Sequence, residues 1–227
     1  MSLRVGLAIL VKTPGHSPLK TRLASAIGSE AAQHFHLLAS AAVAAVAARA
    51  QCDLPMLAPH WAVAEAGALE DPTWHVLPRI PQGEGDLGAR MGRVTDGLLA
   101  KFDAALLLGA DAPQIEPGDF AEAMRALATQ QHVIGPSEDG GFWLFATRGS
   151  VPSSAWLATP WSQPDTAARF CQALRANPDE APVARLRTLR DADTAEDLPP
   201  LLSALDALGD PLPEQRRLAG WLRAQLS

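Results

Sequence analysis

Two stretches, Val5 to Val11 and Ala104 to Gly109, are apolar without interruption and bounded by polar residues or breakers. Runs of this length predict strands covered on both faces. His132 to Gly135 and Phe142 to Thr147 predict two more, separated by the turn Pro136 to Gly141. Weaker strand signals fall on Asp53 to Ala58, Trp74 to Leu77 and Val183 to Leu189. Between the strands the period lengthens. Lys20-Thr21-Arg22 leads into a helical stretch, and Ser29 is the expected N-cap of an alanine-rich helix from Glu30 to Arg49. Trp61 to Leu69 is weakly helical. Asp86 is the expected cap of a helix from Leu87 to Phe102, and further helices are expected over Phe120 to Gln130 and Pro164 to Arg175. Thr194 and Asp197 have capping-box spacing, and Pro213 to Leu226 reads as an amphipathic closing helix.

Strands alternating with helices predict an α/β, three-layer αβα sandwich with a mainly parallel, Rossmann-like sheet. There is no internal repeat or low-complexity linker, so a single domain over residues 1–227 is expected, with 210–227 as its C-terminal helix.

Composition narrows the function classes. With 48 % hydrophobic residues in 227, the chain can bury a full core. The net charge of −6 argues against a general surface for polymeric nucleic acid, but leaves a single nucleotide open. No apolar segment reads as long and bulky enough for a membrane span of roughly 20 residues, and the N-terminus lacks a leader pattern. Cys52 and Cys171 form no CxxC motif, so neither a disulfide framework nor a zinc ribbon is expected. A reduced cytoplasmic setting follows. His34 and His36 are two apart and read as surface or boundary residues; His60 and His75 read as structural. Met1 to Leu3 could include a cloning remnant.

The candidate chemistry begins directly after the first strand. Arg4, Lys12, Lys20 and Arg22 all precede the first acid, Glu30, in a chain that is acidic overall. Cations in a loop between strand and helix, beside free backbone N–H groups, suit phosphates. Gly15 to Thr21 imitates a P-loop, but Leu19 stands where a second glycine is needed and Pro18 removes an N–H. A second, glycine-rich loop runs from Gln82 to Gly88. Asp111 lies just beyond the Ala104 strand, where sheet enzymes place chemistry. Asp139 lies in an acidic turn, where an Asx turn is the ordinary alternative.

Four motifs then occur in an order that resembles one superfamily. They are Lys12, Pro14 and Lys20-Thr21-Arg22-Leu23; Gln82, Asp86-Leu87-Gly88, Arg90 and Met91; Gly109, Asp111 and Pro113; and Asp139-Gly140-Gly141-Phe142. Pro160-Trp161-Ser162 and Asp191 to Leu198 extend the match over residues 3 to about 200. The chain resembles the GT-A fold of nucleotide-diphospho-sugar transferases. Within it the chain looks like a bacterial glycosyltransferase-like family that also resembles phospholactate guanylyltransferase. Three positions depart from that pattern: Ser17 replaces the loop glycine, Phe142 replaces a tyrosine in a chain without tyrosine, and Ala195 replaces a proline.

The resemblance implies a metal-dependent transferase using a nucleotide-activated sugar and a small hydroxyl acceptor. It implies Mg²⁺ or Mn²⁺ on Asp111 and Asp193, which repel each other without metal, so one should titrate high. Lys12, Pro14, Gly15, Lys20 and Arg22 would meet the phosphates, with Lys12, Lys20 and Arg22 converging on one anion. Gln82, Gly83, Asp86 and Arg90 would meet the nucleotide. Asp111 and Asp139 would be catalytic, and Gly140, Gly141, Phe142, Trp161 and Ser162 would face the acceptor. The turn holding Glu138 and Asp139 carries no cation, which favours a hydroxyl acceptor over an anionic one. A nucleotidyltransferase releasing pyrophosphate and a nucleotide-binding protein without turnover remain open, as does a homodimer.

Overall fold

The computed structural model describes residues 3–175 and 183–227. The first two residues of the suspected cloning remnant, Met1 and Ser2, lie outside them. The strands are β1 (Val5–Val11), β2 (Leu57–Val63), β3 (Arg79–Pro81), β4 (Ala104–Gly109), β5 (His132–Pro136), β6 (Phe142–Thr147) and β7 (Ala184–Arg185). The helices are α1 (Thr21–Ile27), α2 (Ser29–Asp53), α3 (Leu87–Leu99), α4 (Pro117–Leu127), α5 (Ser153–Ala158), α6 (Thr166–Ala173), α7 (Leu198–Asp206) and α8 (Pro213–Gln225).

Among the described residues the seven strands form one sheet in the order β3-β2-β1-β4-β6-β5-β7. β1 runs parallel to both β2 and β4, and only β6 is antiparallel to its neighbours, β4 and β5. From β1 the chain first builds outward to β2 and β3, then returns to add β4 on the other side. The carboxyl ends of β1 and β4 therefore flank a topological switch point, where open sheets hold ligands.

The period of two along β1 divides the core. Val5, Leu7, Ile9 and Val11 pack with Val43, Val46 and Ala47 of α2 and Phe120 of α4. Ala8, Ala105, Leu107 and Phe145 face the opposite layer, made by Met91 and Leu98 of α3, Trp156 of α5 and Phe170 of α6. Leu7 and Ile9 are fully buried, each worth about 1.5–3 kcal/mol by removal from water. The strand that carries Lys12 to the site is thus firmly held. A third cluster joins α1, α2, α7 and α8 through Leu23, Phe35, Leu201, Leu218 and Leu222.

The long buried runs fold as their pattern predicts; the caps and edges do not always. Ser29 does not cap α2. Gly28, at φ 89°, ends α1 and starts α2 in one residue, a conformation that a serine adopts poorly. The strand expected over Asp53 to Ala58 begins instead at Leu57, because α2 continues to Asp53 and β1 sets the register at Val5↔Leu57. Trp61 is in β2 rather than a helix, since its large apolar ring is 1 % exposed against Trp74. Trp74 in turn closes a 3₁₀ turn, Pro72–Trp74, capped by Asp71, and the edge strand forms at Arg79. Of Val183 to Leu189 only Ala184–Arg185 pairs as a strand, with one bridge from Leu189 to Ser137. Helix α5 was not expected, and α7 was marked only by the Thr194–Asp197 capping box before it. The first is only six residues, and the second carries prolines in its first turn, where they are tolerated.

By length and composition α2 is long and apolar enough to cross a membrane, which corrects the expectation that no segment qualifies. In the fold 56 % of its most apolar window is buried inside the protein.

Candidate functional site

A cavity of about 510 Å³ opens at the carboxyl ends of β1 and β4. Lys12, Lys20 and Arg22 line it from the first loop, Asp111 from the end of β4, and Asp191 and Asp193 from the segment before α7. These segments are far apart in sequence and are tied by backbone bonds. Ala192 N–H donates to Asp111 O at 3.0 Å, and Gln114 Nε2 donates to Arg190 O at 2.7 Å.

Lys20 is the centre of the arrangement. Its ammonium donates to Ala192 O at 2.6 Å and Asp193 Oδ1 at 2.8 Å, and lies 2.9 Å from Asp111 Oδ1. The side chain is 6 % exposed, and the backbone is left-handed, at φ 46° and ψ 42°, at the N-cap of α1. A non-glycine residue in that region is held there by its surroundings. Burial works against the charge on Lys20, but Asp111 and Asp193 outweigh it and hold the ammonium above its ordinary value. Arg22 takes the other oxygen of Asp193 at 2.7 Å. Burial pushes Asp193 up, yet Lys20 and Arg22 bring it below the usual carboxylate range. Lys12 Nζ donates to Pro18 O at 3.2 Å, within its own loop. The three cations thus line one cavity, but two of them are directed at Asp193.

The carboxylate that titrates high is Asp191, which the sequence reading quoted only as part of a motif. Desolvation, then the charge of Asp111, pushes it up to about 7. It lines the cavity and is partly exposed as a residue, while its Oδ1 is enclosed without a hydrogen-bond partner; the enclosed atom explains the shift better than the residue's mean exposure.

The first loop is braced from outside. Glu65 accepts from Thr13 N at 2.9 Å and from the Ser17 hydroxyl, and Trp74 Nε1 donates to Thr13 Oγ1 at 2.9 Å. Ser17, where the resembling family has glycine, therefore ties the loop to Glu65. Pro14 and Gly15 form the outer turn and do not line the cavity; Gly15 has φ 82° with open space around it. His36 is buried and lines the cavity, not the surface, with Nε2 2.9 Å from Lys12 O. Burial holds it below its ordinary value.

The second loop is mostly self-supporting. Gln82 is buried and lines the cavity, its amide nitrogen donating to Ala62 O at 2.8 Å and Val11 O at 3.2 Å. Asp86 caps α3 at Ala89 N (2.9 Å) and Arg90 donates to Gly85 O (2.8 Å), so both serve the loop. Arg93, which the sequence reading missed, donates to Gln82 O and Glu84 O at 2.8 Å. A side chain at Gly83 would collide with it.

On the far side, Phe142 and Ser162 line the cavity. Trp161 packs among Phe142, Trp156 and Phe170, and its Nε1 donates to Trp156 O at 2.9 Å. Asp139 is exposed and accepts from Gly141 N at 2.9 Å, shaping its own turn. Gly140 is required by packing: at φ 88°, an added Cβ would lie 1.7 Å from Pro164 O. The turn does not lack a cation as expected. Arg190 reaches it, pairing with Glu138 and, at 3.1 Å, with Asp197.

A divalent ion asks for several oxygen ligands. Both oxygens of Asp193 and one of Asp111 are engaged by cations of the chain, and no group of three metal-ligating side chains is arranged for an ion among the described residues. As arranged, the expected Asp111–Asp193 pair does not fit Mg²⁺ or Mn²⁺.

The mostly parallel sheet between helix layers, with its cavity at the β1/β4 switch point, is a GT-A-like fold. The chain belongs to the family described as "Uncharacterized protein conserved in bacteria (DUF2064)", whose pattern residues 38–163 match. No curated protein matches it significantly. Among solved structures it is similar to a protein of Desulfovibrio desulfuricans G20 provisionally named a nucleotide-diphospho-sugar transferase (TM-score 0.78, 22 % identity, 99 % of both chains covered). It is also similar to 4-diphosphocytidyl-2C-methyl-D-erythritol synthase of Anaerococcus prevotii DSM 20548 (TM-score 0.53, 12 % identity, 88 % of this chain and 93 % of the other). Rv0371c of Mycobacterium tuberculosis H37Rv aligns with a TM-score of 0.52 at 14 % identity, over 89 % of this chain and 99 % of the other.

Proposed function

We propose that the chain is a transferase that binds a nucleotide-activated sugar in this cavity and passes the sugar to a hydroxyl acceptor. The observation that carries the reading is that Lys12, Lys20 and Arg22 of one strand–loop–helix line, together with Asp111 and Asp191, a single cavity of about 510 Å³ at the switch point. That volume is within the range of small-molecule sites. Lys12 and Arg22 are exposed residues whose charged groups could turn to a diphosphate. The bonds made by the Gln82 amide nitrogen leave its oxygen for the edge of a base. Asp191, titrating near 7, is better suited than Asp139 to take a proton from a hydroxyl at neutral pH.

Nucleotidyl transfer is the second reading, and Arg190 favours it by bringing a guanidinium to the acceptor turn. Glu138, Asp139 and Asp197 outnumber that charge, which keeps a neutral acceptor in front. The test is the leaving group. Purified protein with Mn²⁺ is given nucleotide sugars or nucleoside triphosphates, with a cell extract as acceptor source. Release of nucleoside diphosphate from a sugar donor is expected. Pyrophosphate from a triphosphate alone would replace the first reading by the second. A thermal-shift panel of nucleotides with and without Mn²⁺ covers both, since a ligand of the native state raises Tm. No shift with any nucleotide would overturn both.

A further inference from the structure

We infer that the chain carries a second ligand site, behind the first loop, for a small neutral molecule with an apolar body and one hydroxyl or carbonyl oxygen. A separate cavity of about 290 Å³ is lined by α2, the 3₁₀ turn Pro72–Trp74 and α8. Ser40, Ala41, Ala44, Ala45 and Ala48 line it from α2, and their spacing puts them on one face of that helix. The indoles of Trp61 and Trp74 make a second wall, edge to face with centres 5.0 Å apart, and Val76 stands 64 % exposed at the rim.

The cavity is apolar except at two points. Ser40 and Trp61 are 2 % and 1 % exposed, and neither Ser40 Oγ nor Trp61 Nε1 has a hydrogen-bond partner. Buried groups of this kind are ordinarily satisfied. The indole N–H can only donate and the hydroxyl can donate or accept, so one ligand oxygen suits both. Water would offer that oxygen but would leave the alanine and indole walls without apolar contact. An apolar cavity of about 150 Å³ takes benzene, so this one has room for a substituted ring. Glu214 and Arg217 line it with opposite charges, and the site therefore asks for no net charge on its ligand. Trp74 joins this cavity to the first. Its ring lines the second cavity while its Nε1 holds Thr13 Oγ1 in the first loop at 2.9 Å. A ligand against that ring would steady Thr13, whose N–H is held by Glu65. None of this depends on the function proposed above.

The probe is p-cresol, with p-xylene as its isostere lacking the hydroxyl. Each is titrated into the isotope-labelled full chain while the indole N–H signals of its six tryptophans are followed by nuclear magnetic resonance. p-Cresol should move the Trp61 and Trp74 signals saturably and bind about fivefold more tightly than p-xylene, the effect of one hydrogen bond. No saturable shift would mean a cavity that holds water only, and would overturn the inference. Equal affinity for p-xylene would overturn the assigned oxygen. Ala45→Leu puts a larger side chain into the cavity from a half-buried position and should abolish the shifts. Binding retained by that variant would place the probe elsewhere and refute the site. Should the variant not fold, nuclear Overhauser contacts from the p-cresol methyl to both indoles of the wild type decide instead, and their absence would refute the site. At saturating p-cresol, amide exchange at Thr13 should slow severalfold; unchanged exchange would refute the link to the first loop.

Discussion

At the scale of single residues, the site is a balance of charges that the sequence could only half display. Lys12, Lys20, Arg22 and Asp111 were legible because loop cations and an acid beyond a buried strand are local features. Asp191 was passed over because its distinction is enclosure and then the charge of Asp111, which arrives from elsewhere in the chain. Its carboxylate titrates near 7 in the fold and about 3.9 when unfolded. Between those values the folded state holds a proton that the unfolded state has released. Stability therefore falls as pH rises from about 4 through about 7, by up to about 4 kcal/mol, and is level above. Asp191→Asn should remove that slope, melting higher than the wild type at pH 8 and close to it at about pH 4. Urea unfolding across this range checks it; parallel pH profiles for the two proteins would contradict the enclosure of its carboxylate. Glu65 has the opposite sign. Burial raises it, but the Ser17 hydroxyl and Thr13 N–H more than offset this and hold it below its ordinary value. Its support for the first loop is present above the ordinary carboxylate range and lost as pH falls through the lowered value. Glu65→Gln should flatten that acid limb and weaken nucleotide binding, read by calorimetry, with a small effect on the melting temperature at neutral pH.

At the scale of elements, legibility followed the local strength of the pattern. β1, β4 and β6 were legible to the residue because continuous burial leaves one choice of backbone. β2 and β3 shifted because their limits are set by pairing, of β2 with β1 and of β3 with β2, which is non-local. Capping was legible where a side chain makes it, as at Asp86 and the Thr194–Asp197 box. It was not legible where a backbone angle makes it, as at Gly28. The glycines of the site loops divide the same way and give a paired prediction. Gly15 and Gly140 both have φ in the left-handed region, but only Gly140 faces a backbone wall. Gly15→Ala should cost about 1 kcal/mol from its dihedral alone. Gly140→Ala adds a collision with Pro164 O that no rotamer relieves, for about 3 kcal/mol or more. Because Pro164 leads into α6, that damage should reach Phe170 and the second core layer. Chemical denaturation of both variants measures the difference, and equal losses would mean that the turn at Gly140 can relax.

At the scale of the molecule, the C-terminal helix connects the outer layer to the chemistry. The sequence reading saw α8 only as an amphipathic segment closing the domain, and its role depends on one buried side chain. Gln215 is 2 % exposed, and its Nε2 donates to Pro113 O at 2.9 Å and Ile115 O at 3.0 Å, while Oε1 accepts from Leu212 N. Both Nε2 partners are carbonyls, so they require the amide nitrogen at that position. The two carbonyls belong to the segment directly after Asp111, between β4 and α4. α8 thus holds that loop from behind while Lys20 and Ala192 hold it from the cavity side. Leu218 and Leu222 of the same helix are fully buried in the third cluster and make no such link. Gln215→Ala strands two buried carbonyls, which should cost about 2–3 kcal/mol. Leu218→Ala leaves a cavity and should cost a similar or larger amount, about 2–5 kcal/mol. Stability alone does not separate them, but amide exchange does. Gln215→Ala should speed exchange in residues 109–115 and weaken nucleotide binding, while Leu218→Ala should loosen α7 and α8 and spare that loop. If both variants raise exchange at 109–115 equally, the loop depends on the helix layer as a whole and not on Gln215.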